Sequence, residues 1–239
     1  GKKVCFCCSG GGAGFSGAWD RPSRTRRGRR STRRWRCGWA PTSPPSTSAT
    51  CWRTRTPSTF TATASSTSTA SVAGTVDFIF GNAAAVFQDC DIHARRPNAD
   101  QKNMVTAQSR SDPNQNTGIV IQKCRIGATP ELRAVRGSFR TFLGRPWKQY
   151  SRTVVMQTAI EDVIAAEGWH EWNGSFALDT LYYGEYRNTG TGAPTTNRVK
   201  WKGFHVITSA AVAQGFTAGS FVGGRSWLSG TGFPDSLGL

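Results

Sequence analysis

Val86-Phe87-Gln88-Asp89-Cys90-Asp91-Ile92 is echoed 34 residues on by Val120-Ile121-Gln122-Lys123-Cys124-Arg125-Ile126. Both read apolar, apolar, Gln, charged, Cys, charged, Ile. Side chains alternate between faces along a strand, so Gln, Cys and Ile are predicted on one face and the charges on the other. Short strands repeated at a fixed period mark a stacked solenoid, whose coils share one core. Cys90 and Cys124 read as small buried apolar residues within it. Outward from this pair, short β-rich runs recur at 74–82, 84–87, 118–121, 153–156, 199–201 and 205–207, with Gly, Asn, Asp and Pro between them. No segment carries the period of a long amphipathic helix.

Ahead of residue 73 the composition changes. Residues 1–72 hold 13 Lys/Arg against a single acid, Asp20, a net of +12 out of the chain's +16; residues 73–239 carry +4. The stretch 21–37 is dense in Arg and 41–71 is dense in Ser/Thr, and neither shows an apolar period. Such a composition cannot bury enough apolar area to offset chain entropy, so disorder is expected over 1–72 and a folded domain over 73–239. The first part is open to three readings: an arginine-rich nucleic-acid arm, a Ser/Thr/Pro stalk, or a sequence never selected as protein. Cys5-Phe6-Cys7-Cys8 has no second Cys/His pair at zinc spacing. Gly10-Gly11-Gly12-Ala13-Gly14 lacks the order of a phosphate-cradling loop. No apolar run approaches the ~18 residues of a membrane-spanning helix, and no leader-like segment opens the chain.

One acid is out of place. Asp77 lies inside Val76-Asp77-Phe78-Ile79-Phe80, where a carboxylate is costly unless paired. It reads either as a turn cap or as a carboxylate held for chemistry. A natural partner is Arg145 in Leu143-Gly144-Arg145-Pro146-Trp147, where a guanidinium stands beside a flat indole. That pairing suits a sugar ring bearing a carboxylate, although a surface ion pair would explain Arg145 equally. No G-x-S-x-G elbow is present, and His93, His170 and His205 fall in no nucleophile or metal-hydrolase spacing.

From Val72 to Leu239 the chain resembles the plant pectin methylesterase (pectinesterase) family. The resemblance rests on Gly74-Thr75-Val76-Asp77-Phe78-Ile79-Phe80-Gly81-Asn82 and Leu143-Gly144-Arg145-Pro146-Trp147. Thr106-Ala107-Gln108, Gly168-Trp169-His170-Glu171-Trp172, Arg198-Val199-Lys200-Trp201-Lys202-Gly203 and Gly232-Phe233-Pro234 support it. It implies an all-β, right-handed parallel β-helix and hydrolysis of galacturonate methyl esters in pectin to pectate and methanol, without metal or organic cofactor. It implies Asp77 as nucleophile, Arg145 orienting Asp77 and keeping it ionised, and Trp147 and Phe80 packing on the sugar. It further implies a secreted, monomeric protein of the plant cell wall that modifies pectin, with an inhibitor protein as a possible partner.

The chain also departs from the family. About 44 residues before Asp77 the family carries Gln-Ala-Val-Ala-Leu-Arg, and about 21 before it Gln-Asp-Thr; the two Gln stabilise the oxyanion and the Asp is the general acid/base. Here those places hold Arg33-Arg34-Trp35-Arg36-Cys37-Gly38 and Arg55-Thr56-Pro57. A frame shift would explain both. Written in GC-rich codons, Gln-Ala-Val-Ala-Leu-Arg is CAG GCG GTG GCG CTG CGG, which read one nucleotide late becomes AGG CGG TGG CGC TGC GG and spells residues 33–38. TAC CAG GAC ACC CTC TAC, read the same way, spells Thr54-Arg55-Thr56-Pro57-Ser58-Thr59. Residues 21–71 are therefore expected to be an out-of-frame reading of a pectinesterase gene. Esterase activity is expected to be impaired, and Cys90, without the family's partner cysteine, is expected to remain a thiol. The alternative function is a non-catalytic binder of acidic polysaccharide or nucleic acid through the basic arm.

Overall fold

The computed structural model describes residues 5–8, 51–53, 71–226, 228 and 236–239. Most of the segment expected to be disordered over 1–72 lies outside them. The strands in chain order are β1 (Cys5–Cys8), β2 (Cys51–Arg53), β3 (Ser71–Gly74), β4 (Ile79–Gly81), β5 (Ala84–Gln88), β6 (Asp91–Ala94), β7 (Asn103–Gln108), β8 (Gly118–Gln122), β9 (Arg125–Ala128), β10 (Thr141–Gly144), β11 (Arg152–Met156), β12 (Ala159–Ile160), β13 (Tyr182–Tyr186) and β14 (Phe204–Val206). Helices are short: α1 (Pro130–Arg133), α2 (Ala210–Gln214) and α3 (Ala218–Phe221). None is long and apolar enough to cross a membrane among the described residues.

The strands stack into three sheets, ordered β1-β5-β8-β11-β13-β14, β2-β3-β6-β9-β12 and β4-β7-β10. Every pairing is parallel except β1 against β5. Each coil contributes one strand to each face, which is a parallel β-helix. The interior is a single apolar column that includes Phe87, Ile92, Ile121, Ile126, Leu143, Val155, Ile160 and Trp169. A second apolar layer lies on the other side of the first sheet: Val86, Val120, Val154 and Met156 pack there against Ala213, Ala218 and Phe221 of the two C-terminal helices.

The echoed heptads sit one coil apart, with Gln88 opposite Gln122 and Ile92 opposite Ile126. The structure corrects the predicted common face. Each heptad is two strands joined at a corner, and the corner residue is left-handed: Asp89 has φ 59° and Lys123 has φ 54°. The bend reverses the alternation. Gln88 shares the outer side of Val86 and bonds Gln122 (2.7 Å), whereas Cys90 and Ile92 point into the core. A buried amide is tolerable only because neighbours satisfy it; Gln122 passes the ladder on to Gln157 at 3.1 Å. Cys90 and Cys124 are both buried, as expected. Cys90 is nevertheless disulfide-bonded, which overturns the expectation of a thiol, while Cys124 is free.

Candidate active site

The third sheet carries the chemistry-bearing residues. Asp77 stands in the turn leading into β4 with φ 53°, a left-handed conformation that is uncommon for non-glycine residues and that Asp tolerates better than most. Arg145 follows β10 and is held in line by its N–H, which donates to the Thr106 carbonyl at 3.0 Å. The two are 68 residues apart, twice the coil period, so Arg145 reaches back over the middle coil. Its Nε donates to Asp77 Oδ1 at 2.9 Å and its Nη2 to Oδ2 at 2.8 Å. Two parallel charge-assisted bonds fix the plane of the carboxylate. The side chains keep 11% and 20% exposure for Asp77 and Arg145, enough to leave the pair reachable from outside.

Glycine makes this crossing possible. A Cβ on Gly144 would lie 2.0 Å from Thr106 Oγ1, the atom that donates to the Leu143 carbonyl at 2.9 Å. Any larger residue there would push β10, and Arg145 with it, off the middle strand. Below the pair, Tyr183 is wholly buried, stacks on Trp169 and contacts Ser151 Oγ at 3.1 Å. Burial pushes the Tyr183 phenol up, with Asp77 adding in the same direction and Arg145 opposing. This group therefore stays protonated at ordinary pH.

The four residues singled out from sequence converge. Trp147 is 38% exposed and meets Phe80 edge-on, with ring centroids 5.9 Å apart. Phe80 lies in β4 and Trp147 two residues beyond Arg145, so the aromatic pair borders the Asp77–Arg145 pair. Sequence reasoning missed a fifth participant. The Arg145 guanidinium lies over the Trp172 ring, 4.5 Å from its centroid. Arg145 is thus held in its plane by carboxylate and on its face by indole. The only sequence signal was that Trp172 belongs to the supporting 168–172 block. His170 is engaged with Lys102 Nζ (3.0 Å) and the Glu171 carbonyl (2.6 Å), and His205 stacks on Tyr182. Among the described residues no group of three or more His, Cys, Asp or Glu could hold a metal ion. Residues 33–38 and 55–57, which stand at the places of the family's oxyanion and acid/base blocks, lie outside the described residues.

A second ionic arrangement stiffens the coil behind the site. Arg198 donates to both Glu185 oxygens (2.8 and 3.2 Å), to the Gly192 carbonyl (2.7 Å) and to the Ala166 carbonyl (3.1 Å). Trp169 Nε1 also donates to Glu185, at 3.1 Å. A buried pair so fully hydrogen-bonded is tolerated, whereas either half alone would not be.

Comparison with known proteins places the chain in a family. The Pectinesterase family model matches residues 67–225. A tomato (Solanum lycopersicum) pectinesterase/pectinesterase inhibitor is 76% identical over 168 residues, which is 70% of this chain and 29% of that protein. A carrot (Daucus carota) pectinesterase is 72% identical over 70% of this chain and 53% of its own length. The solved pectin methylesterase from carrot superposes with a TM-score of 0.71 at 71% identity, covering 72% of this chain and 54% of that one. The enzyme from Aspergillus niger superposes with a TM-score of 0.54 at 27% identity, over 67% of this chain and 47% of that one. The chain therefore spans between under a third and about half of the length of the relatives it matches.

Proposed function

The chain belongs to the pectinesterase family, and we propose that its substrate is methyl-esterified polygalacturonate, hydrolysed to pectate and methanol. The observation that carries this reading is the bidentate Arg145–Asp77 pair bordered by Trp147 and Phe80. An Asp77 oxygen attacks the ester carbonyl, the carbon–methoxy bond breaks, and the methoxy oxygen takes a proton from solvent water to leave as methanol. Water then cleaves the acyl-aspartate and restores the carboxylate. Arg145 holds Asp77 in plane for the attack, while Trp147 and Phe80 offer apolar faces to the sugar ring. By the same reading the protein works on pectin in the plant cell wall, as a monomer, with a proteinaceous inhibitor as a partner.

Two parts of that machinery are replaced in the sequence. Loss of one oxyanion donor costs about 10²–10³ in rate. Loss of the general acid costs about 10²–10⁴ more, without strict additivity. The chain is therefore expected to release methanol from methylated pectin at least about a hundredfold more slowly than the carrot enzyme. Turnover near that of the carrot enzyme would refute the impairment. The arginine-dense segment 21–37, in a stretch of net charge +12, favours one other reading, a binder of acidic polymer. Pull-down on pectate and on RNA, with and without residues 1–72, separates the two.

A further inference from the structure

Trp147 sits on a loop whose geometry traces back to one buried side chain. Gln108 ends β7 and is fully buried. A buried amide is costly unless both its ends are used, and the Gln108 Nε2 donates to Asn82 Oδ1 at 3.5 Å. The Gln108 Oε1 accepts two backbone N–H bonds, from Arg110 and from Arg152, each at 2.9 Å. Those bonds use both lone pairs of the oxygen. Arg152 opens β11, directly after the loop that bears Trp147. The Gln108 backbone carbonyl accepts the Trp147 N–H at 3.2 Å. Arg110, placed by the first of these bonds, extends the hold: its Nε donates to the Tyr150 carbonyl at 2.7 Å, and its own carbonyl accepts the Tyr150 N–H at 3.0 Å. Residues 147, 150 and 152 are thus all tied to Gln108 or to the residue that it fixes.

This matters because the Trp147 indole is more than a third exposed and meets Phe80 edge-on. The placement of such an indole follows that of the loop backbone that carries it. We propose that Gln108 is a positioning residue: its side-chain oxygen sets the placement of Trp147 and so governs affinity for the galacturonate chain. The proposal rests on the pectinesterase reading for the ligand, but not for the geometry.

The test uses the full chain and its variants. Gln108→Met keeps the length and removes the acceptor; Gln108→Glu keeps an acceptor at the same reach. Three readouts are taken: the fluorine resonance of 5-fluorotryptophan at position 147 (assigned with Trp147→Phe), amide hydrogen exchange at residues 147 and 152, and affinity for a partly methyl-esterified hexagalacturonate. Gln108→Met is expected to move the Trp147 resonance, to speed exchange about tenfold and to weaken binding about tenfold, with Gln108→Glu returning all three towards the parent values. An unmoved Trp147 resonance with unchanged exchange in Gln108→Met overturns the proposal, and so does failure of Gln108→Glu to rescue. If Gln108→Met does not fold, Gln108→Asn, which draws the oxygen back by one methylene, carries the same expectations. If the parent chain binds no hexagalacturonate while resonance and exchange respond, Gln108 sets the placement of Trp147 and methyl-esterified polygalacturonate falls as the proposed substrate.

Discussion

Two places in this solenoid join residues whose numbers differ by the coil period or twice that period, and they do so in opposite ways. At the corner between the first and second sheets, like stacks on like. Ile92, Ile126 and Ile160 form one row, and Cys90, Cys124 and Thr158 another. Asp89, Lys123 and Gln157 repeat one left-handed turn, with φ between 52° and 59°. At the rim of the third sheet, two coils bring together unlike residues, the acid Asp77 and the base Arg145. The corner buries apolar surface from every coil, so repetition serves it. The rim needs two different charges and one exposed aromatic face, and repetition would destroy that. Stability in such a fold comes from what recurs, and chemistry from where recurrence fails.

The largest expected effect comes from breaking the recurring row. Ile126 is 1% exposed and lies between Ile92 and Ile160 on adjacent coils. Ile126→Ala leaves a cavity that neighbours on both sides cannot close, because each is fixed by its own coil. The expected loss is about 2–5 kcal/mol, read as a lower denaturation midpoint with an unchanged slope. A loss below about 1 kcal/mol would mean that the coils slide to fill the gap.

The rim should respond more gently in stability and more sharply in function. Arg145→Lys keeps the positive charge but gives up the planar fork on Asp77 and the flat contact with Trp172. Because both partners retain some exposure, the expected stability change is about 1 kcal/mol or less. Any residual methanol release should fall at least about tenfold, since a carboxylate free to rotate meets the ester carbonyl less often. A Lys variant with parental turnover would show that charge alone suffices at this position.

The two regions also differ in how far they could be read from residues alone. The heptads at 86 and 120 declared the repeat because both kept Gln and Cys. The third copy, Val154-Val155-Met156-Gln157-Thr158-Ala159-Ile160, lies 34 residues further on and stacks in register, but Met has replaced Gln and Thr has replaced Cys. What the coils share is a backbone turn and an inward Ile, and a turn imposed by stacking leaves no residue signature when Asp, Lys and Gln all occupy it. The same turn puts Gln88 on the face opposite Cys90 and Ile92, because period-2 alternation holds only along an unbroken strand. At the rim, Asp77 stood out as an acid among apolar residues, and Arg145 as its complement. Trp172 and Gln108 did not, because each acts through a neighbour that only the fold supplies.

The smallest expected effect returns to the corner and depends on pH. The Cys124 thiol is pushed up from 9.0 to about 12, first by burial and less by the nearby Asp89 carboxylate, with the backbone N–H of Cys90 and Arg125 opposing. Below pH 9 the thiol is protonated whether the chain is folded or not, so it contributes no pH slope. Between pH 9 and about 12 the unfolded chain releases this proton and the folded chain keeps it. The unfolded state then binds fewer protons, and stability must fall as pH rises, by at most about 1.4 kcal/mol per pH unit for one group. The buried phenol of Tyr183 titrates with the same sign, so the parent slope alone does not isolate the cysteine. Comparison with Cys124→Thr does, since Thr158 fills the equivalent place one coil on, donating from its hydroxyl to the Ile121 and Met156 carbonyls. Urea denaturation at pH 8 and pH 10 should show the parent chain losing more stability than Cys124→Thr. Equal losses would mean that the thiol ionises in the folded state, and that the like-on-like corner is open to water where the packing of Ile92, Ile126 and Ile160 says it is closed.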